Sequence, residues 1–271
     1  MLTTILEKSQ LTEWILKAKA FKPVLLGSGN KFTIPTQVPK RKGLSIIMLT
    51  LAFESSAKAA SVALARDGQL VAQYFQNSGL THSVTLMKMA QDMLQNCGIT
   101  LGGLSNISVS YGPGSFTGIR IGLAAAKGLA WGANLPIRAV STLRAAASVF
   151  EDEGVILCPA MDARRGEVYN ALFEMQGGRL VRLCDDRVLP AAEVALETKS
   201  MAKPYLLMGD GAQICYDALL AAGVDAALTP PAMRLQSAYG VALAAQGVQD
   251  SPTDEIVPNY IRVSQAERLH K

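Results

Sequence analysis

From residue 48 onward, alternating and continuous apolar runs divide the chain into strands and helices whose order repeats. Residues 49–54 (LTLAFE), 61–66 (SVALAR) and 69–75 (QLVAQYF) read as three strands, and Asp67-Gly68 between two of them predicts a tight hairpin. Residues 155–162 (VILCPAMD), 167–175 (EVYNALFEM) and 179–185 (RLVRLCD) repeat that order, with Gly177-Gly178 as the second turn. An acidic residue closes the first strand each time, Glu54 and then Asp162. Two copies of a three-stranded meander, each followed by helices, predict a duplicated α/β chain: two lobes of mixed sheet flanked by helices, with a cleft between them.

Two helical stretches lie between the copies. Over residues 81–96, Val84, Leu86, Met87, Ala90, Met93 and Leu94 form a broad apolar face, with Thr81 placed as an N-cap. A face this wide, rich in adaptable methionines, serves either the core or a partner, and Val84, Met87, Ala90, Met93 and Leu94 are the candidate partner contacts. The second stretch is strand, glycine loop, helix. Ile107, Val109 and Tyr111 run into Gly112, Gly114 and Gly118, and a long helical pattern comes next. Such a loop leaves free N–H groups at a helix N-terminus, where an anion is favoured. Ser115 or Thr117 can cap the helix, and Arg120 in its first turn calls for a nearby carboxylate or phosphate. The spacing misses G-x-G-x-x-G by one residue and lacks the Gly-Lys-Ser/Thr of a P-loop. Close packing of a small-residue helix face therefore stands beside anion binding as the reading of this loop.

Composition narrows the chemistry. No apolar run reaches the roughly 20 residues of a membrane span, and the longest, residues 44–53, reads as a buried strand. Cys97, Cys158, Cys184 and Cys215 are scattered, and only His82 and His270 accompany them, so a zinc site has poor support and the thiols are expected to be reduced. The total charge of +4 is uneven: residues 1–47 hold eight basic side chains against Glu7 and Glu13, and the remainder is slightly negative. That leading segment reads as an appendage, either a non-native or disordered extension before a natural start at Met48 or a functional one whose basic end touches a nucleic acid or a membrane surface. The lobes are placed at residues 48–150 and 151–271, with the last segment a candidate return to the first lobe. Gly209-Asp210-Gly211 gives the second lobe its own strand, glycine turn and helix.

Three stretches together carry a family resemblance: YGPGSFTGIRIGLAAAKGLAWG at 111–132, DARRGEVY at 162–169, and Pro258-Asn259-Tyr260-Ile261-Arg262 near the end. Over residues 48 to about 262 the chain resembles the TsaB (YeaZ) family, relatives of the TsaD/Kae1 proteins. The resemblance implies the actin-like ATPase and sugar-kinase (ribonuclease H-like) fold and a cytoplasmic, non-catalytic subunit that pairs with TsaD, assisted by the ATPase TsaE. That assembly transfers a threonylcarbamoyl group to the adenosine beside the anticodon of tRNAs reading A-starting codons. ATP or ADP and a metal then belong to the wider complex, tRNA is met through the complex, and a homodimer through the same helix competes with the heterodimer. TsaD-type proteins carry an H-x-x-x-H pair where this chain has His82 and then Leu86, so the metal pair is incomplete. In active members of the superfamily, acids such as Glu54 and Asp162 organise metal and phosphate. With Gly112, Gly114, Ser115, Thr117, Gly118 and Arg120 they form the candidate nucleotide or cleft set. The alternative function is an independent nucleotide-binding enzyme, an ATPase or phosphotransferase.

Overall fold

The computed structural model describes residues 47–199 and 202–262. The chain divides into two compact units, Met1–Ser45 and Ile46–Lys271, and the described residues all lie in the second. The expectation for the leading segment therefore falls outside the described residues, except at its last residue, Ile47.

Strand β1 (Leu49–Glu54) is the centre of the first sheet. It pairs antiparallel with β2 (Ala60–Arg66), which pairs antiparallel with β3 (Gln69–Gln76) through the Asp67-Gly68 turn. On its other side β1 runs parallel to β4 (Asn106–Gly112), and β4 parallel to β5 (Ile137–Ser141), giving the order β3-β2-β1-β4-β5. The period-2 alternation of a strand sends Leu49, Leu51 and Phe53 to one face and Ala52 to the other. The first face is covered by α1 (His82–Cys97) and α2 (Phe116–Ala133), which bury Leu86, Met93, Ile119 and Leu123 with Leu64, Ile107 and Val109. Helix α1 ends on Gly98, whose left-handed φ of 65° lets its N–H reach the carbonyls of Gln95 and Leu94. Thr81 holds the N-cap position, but its side chain makes no capping bond.

The second sheet repeats the plan. Strand β6 (Ile156–Asp162) is buried along nearly its whole length, which is why it reads as a continuous apolar run. It pairs antiparallel with β7 (Glu167–Asn170) and β8 (Phe173–Gln176) and parallel with β11 (Tyr205–Met208), and β11 runs parallel to β12 (Ala226–Leu228). β8 continues into β9 (Arg179–Arg182), and β10 (Arg187–Pro190) flanks β7. The single strand predicted over residues 167–175 is thus two. Asn170, fully buried, turns its Nδ2 to Pro159 O and Ala171 O, and Leu172 N donates to Cys184 Sγ, so the chain steps from one end of β6 to the other. Helices α4 (Ala191–Thr198) and α5 (Ala212–Ala221) cover this half.

Between the halves, α3 (Thr142–Ala147) packs Leu143 and Ala147 against Leu157, Met161 and Phe173. After the single turn of α6 (Pro231–Arg234), α7 (Ala238–Ala244) comes back to the outer face of the first sheet against Ala52, Ala63 and Ala65.

Candidate cleft site and partner face

The two acids at the ends of the first strands lie at one cleft, Asp162 on its wall and Glu54 behind it. Its cavity of about 650 Å³ is lined by Lys58, His82, the glycine loop, Asp162, Arg164, Asp210 and residues 259–262. Glu54 lies behind this wall, 1 % exposed, where Oε1 accepts from Ser56 N at 2.6 Å and Ser56 Oγ at 2.5 Å. Its Oε2 has no hydrogen-bond partner among the described residues, and neither has Ser110 Oγ close by. Burial pushes the Glu54 carboxyl above the usual carboxylate range, against the lowering pull of the Ser56 hydrogen bonds. Asp162 is at the cleft surface and accepts from Arg164 N at 2.7 Å.

Asp210, absent from the sequence-derived set, is the third acid. Gly209 and Gly211 let the loop after β11 lie on the backbone of β6: a Cβ on Gly209 would sit 2.1 Å from Ala160 O, and one on Gly211 2.6 Å from Met161 C. Asp210 is thereby turned toward the cleft, held by Gln236 Nε2 at 2.9 Å, and burial raises its carboxyl as well. The only sequence signal for it was the Gly-Asp-Gly triplet.

The glycine loop is occupied by the protein's own backbone. Ser115 N donates to Ser56 O at 2.6 Å, and Ser55 Oγ donates to Gly118 O at 2.9 Å. A Cβ on Gly114 would lie 2.4 Å from Ser56 O, one on Gly118 2.1 Å from Ser55 O, and one on Gly122 2.4 Å from Ser55 Oγ. Of the two candidate capping residues it is Ser115 that acts, accepting from Gly118 N, while Thr117 is exposed. The glycines thus admit the turn after β1. On its other side the loop, from Pro113 to Gly118, lines the cavity. Close packing, one of the two readings of this loop, accounts for Gly114, Gly118 and Gly122.

Arg120 also differs from expectation. Its guanidinium lies 3.7 Å over the Phe116 ring, and its Nε donates to Tyr260 Oη at 2.7 Å. Phe116 and Tyr260 stack at 4.7 Å between centroids. Aromatic faces supply here the partner that a carboxylate or phosphate was predicted to supply.

The candidate partner contacts on α1 divide into two groups. Ala90, Met93 and Leu94 are buried against the first sheet and cannot meet another chain, which corrects their assignment. Val84 and Met87 are 70 % and 42 % exposed, and Leu80 just before the helix is 61 % exposed. The apolar arc is wide because one side of it serves the core and the other is left open. His82 opens the helix with Nε2 2.8 Å from Ala57 O, and Leu86 one turn later is fully buried. Among the described residues no group of three or more His, Cys, Asp or Glu side chains is arranged to hold a metal ion, and no helix is long and apolar enough to cross a membrane.

The buried carboxyl gives a testable pH dependence. A pKa raised on folding favours the native state below the ordinary value near 4.5, and that contribution is lost as pH rises through the raised value. Glu54→Gln keeps the acceptor for Ser56 and places a donor near Ser110 Oγ. The variant is expected to melt within about a degree of wild type at pH 4.5 and several degrees higher at pH 8, the gap widening as pH rises toward the raised value and holding level above it. Thermal melts across that range check this; a gap that narrows with rising pH contradicts it.

A central strand flanked on one side by an antiparallel hairpin and on the other by parallel strands, built twice around a cleft with an acid ending each central strand, defines an actin-like α/β protein of the ribonuclease H-like class. A family model described as TsaD, tRNA N6-adenosine threonylcarbamoyltransferase, matches residues 76–268. The chain is 31 % identical over 224 residues to the tRNA threonylcarbamoyladenosine biosynthesis protein TsaB of Bacillus subtilis, covering 81 % of this chain and 96 % of that one. It is 40 % identical over 129 residues to Escherichia coli TsaB, covering 47 % of this chain and 55 % of that protein. The solved structure of YeaZ from Pseudomonas aeruginosa superposes with a TM-score of 0.68 at 26 % identity, covering 79 % of this chain and 99 % of that one. The chain belongs to the TsaB (YeaZ) family.

Proposed function

We propose that this protein is the accessory, non-catalytic subunit of the assembly that makes threonylcarbamoyladenosine in tRNA. It pairs with a TsaD-type protein, and together with the ATPase TsaE the pair moves the threonylcarbamoyl group onto the adenosine beside the anticodon. The observation that carries this reading is the start of α1. His82 stands alone, its Nε2 within hydrogen-bond distance of Ala57 O, and the position where a second imidazole would complete a metal pair is the buried Leu86. Chemistry is therefore assigned to the partner and pairing to this chain, in the cytoplasm. The pairing surface is the open side of α1, Val84 and Met87, with Leu80 beside it. Apolar side chains left in water on a helix gain stability when another apolar face covers them, by about 25 cal/mol per Å² removed from water. The independent nucleotide-dependent enzyme has less support, because Gly114, Gly118 and Gly122 are taken up by the turn after β1.

The test is reconstitution. Residues 48–271 alone, and mixed with the same organism's TsaD, are run on gel filtration with light scattering and then assayed for threonylcarbamoylation with TsaE and tRNA. A one-to-one complex, with modification only in the mixture, is the expected result. Substantial tRNA modification or ATP hydrolysis by the chain alone would overturn the accessory role and make the cleft an active site.

A further inference from the structure

We propose that residues 256–262 form a clasp across the cleft whose Arg262 end holds a strained turn of the second half, so that release lets the turn relax and moves one wall of the cavity. The clasp is rooted in the first half. Ile256 is buried in the core beneath the first sheet, and Asn259 N donates to Tyr111 O at 2.8 Å. Gly112 permits that approach, since a Cβ there would lie 2.8 Å from Asn259 O. Tyr260 then stacks on Phe116 and accepts from Arg120 Nε, which ties the clasp to the first turn of α2.

Two residues further on, Arg262 reaches the other half. Its Nη1 donates to Ala163 O at 2.6 Å, and its Nη2 pairs with Glu167. These acceptors are the two ends of one turn, which is also closed by Ala163 N to Glu167 O at 3.0 Å. Between them Arg164, Arg165 and Gly166 all have left-handed backbone, with φ of 69°, 60° and 77°. A residue with a side chain occupies that region sparsely, and two in succession persist only where the surroundings hold them. Both arginine side chains are exposed and do not hold the turn; Glu167 N on Arg164 O and Ala191 N on Gly166 O hold its backbone, and Arg262 grips both flanks. The two ends of the clasp differ in kind: Ile256 is apolar and buried, whereas the Arg262–Glu167 pair is polar and partly open to water. Release therefore begins at Arg262. Asp162 and Arg164, which line the cavity, are joined through Asp162 Oδ1 and Arg164 N, so relaxation of the turn reshapes that wall.

Hydrogen exchange read by mass spectrometry on the full chain tests this. Arg262→Ala is expected to speed exchange in peptides covering residues 161–169 about tenfold, leaving the β2–β3 hairpin at its wild-type rate. Arg262→Lys, which keeps the charge but not the fork, recovers part of the protection. Arg165→Gly relieves one of the two strained residues without touching the clasp, so adding it to Arg262→Ala should bring exchange in 161–169 part of the way back to the wild-type rate. Unchanged exchange in Arg262→Ala, or an equal rise in the hairpin, overturns the clasp. A tenfold rise that Arg165→Gly leaves in place overturns the stored strain.

Discussion

Gly118→Ala is expected to lower the melting temperature by roughly 10 °C, corresponding to about 3 kcal/mol in a domain of this size. The added methyl would start 2.1 Å from Ser55 O, a backbone atom with nowhere to go. The turn after β1 is fixed to the helix from both sides, by Ser115 N on Ser56 O and by Ser55 Oγ on Gly118 O. Either α2 shifts off the first sheet and loosens Ile119 and Leu123 in the core, or the turn moves and leaves Glu54 without its Ser56 donors. Gly128, ten residues along the same helix, is the control, because nothing lies within 4 Å of a Cβ placed there. Gly128→Ala should stabilise by up to about 1 kcal/mol, since glycine loses more backbone freedom in a helix than alanine. Denaturant titration of both variants reads the two signs directly. A Gly118→Ala protein as stable as wild type would mean that the glycine loop is roomier than a backbone cradle and would reopen it to ligands.

The second large effect concerns pairing. Val84→Asp with Met87→Asp should weaken binding to TsaD by about 100-fold or more and abolish threonylcarbamoylation at ordinary protein concentrations, while the melting temperature changes by no more than a few degrees. Both side chains are exposed, so a carboxylate there stays hydrated in the free chain and costs little, whereas in a covered apolar interface it is stripped of water without a counter-charge. Met93→Asp makes the opposite comparison. That side chain is fully buried beneath the first sheet, so the substitution should unfold the chain whatever the partner does. Titration of TsaD against the double variant, followed by calorimetry, separates the two effects. Wild-type affinity in the double variant would place the partner on another surface.

Much of the scaffold is legible in the order of residues alone. The period-2 runs place β1, β2 and β3, and Asp67-Gly68 places the turn between them. The 3.6-residue pattern places α1 to within a residue. These signals are local, and each element's own residues carry them. The partner set on α1 is only half legible, because periodicity marks an apolar arc without saying how much of it the home sheet covers. Ala90, Met93 and Leu94 lie on the covered side and Val84 and Met87 on the open one.

The sequence by itself determined the duplicated plan, the two acids that close the central strands, and the lone histidine at the head of α1, because hairpin chemistry, strand alternation and residue identity need no distant partner. Only the tertiary structure decided what the glycine loop holds, that Asp210 joins the cleft, and that Arg120 leans on aromatic rings. Each of those depends on atoms far apart in the chain: Ser55 beside Gly118, Ala160 beneath Gly209, Tyr260 across from Arg120. A glycine states that something comes close, and a charged residue that something must balance it. Which group does so is settled by packing, where carbonyl oxygens and ring faces compete on equal terms with the ligands a motif suggests.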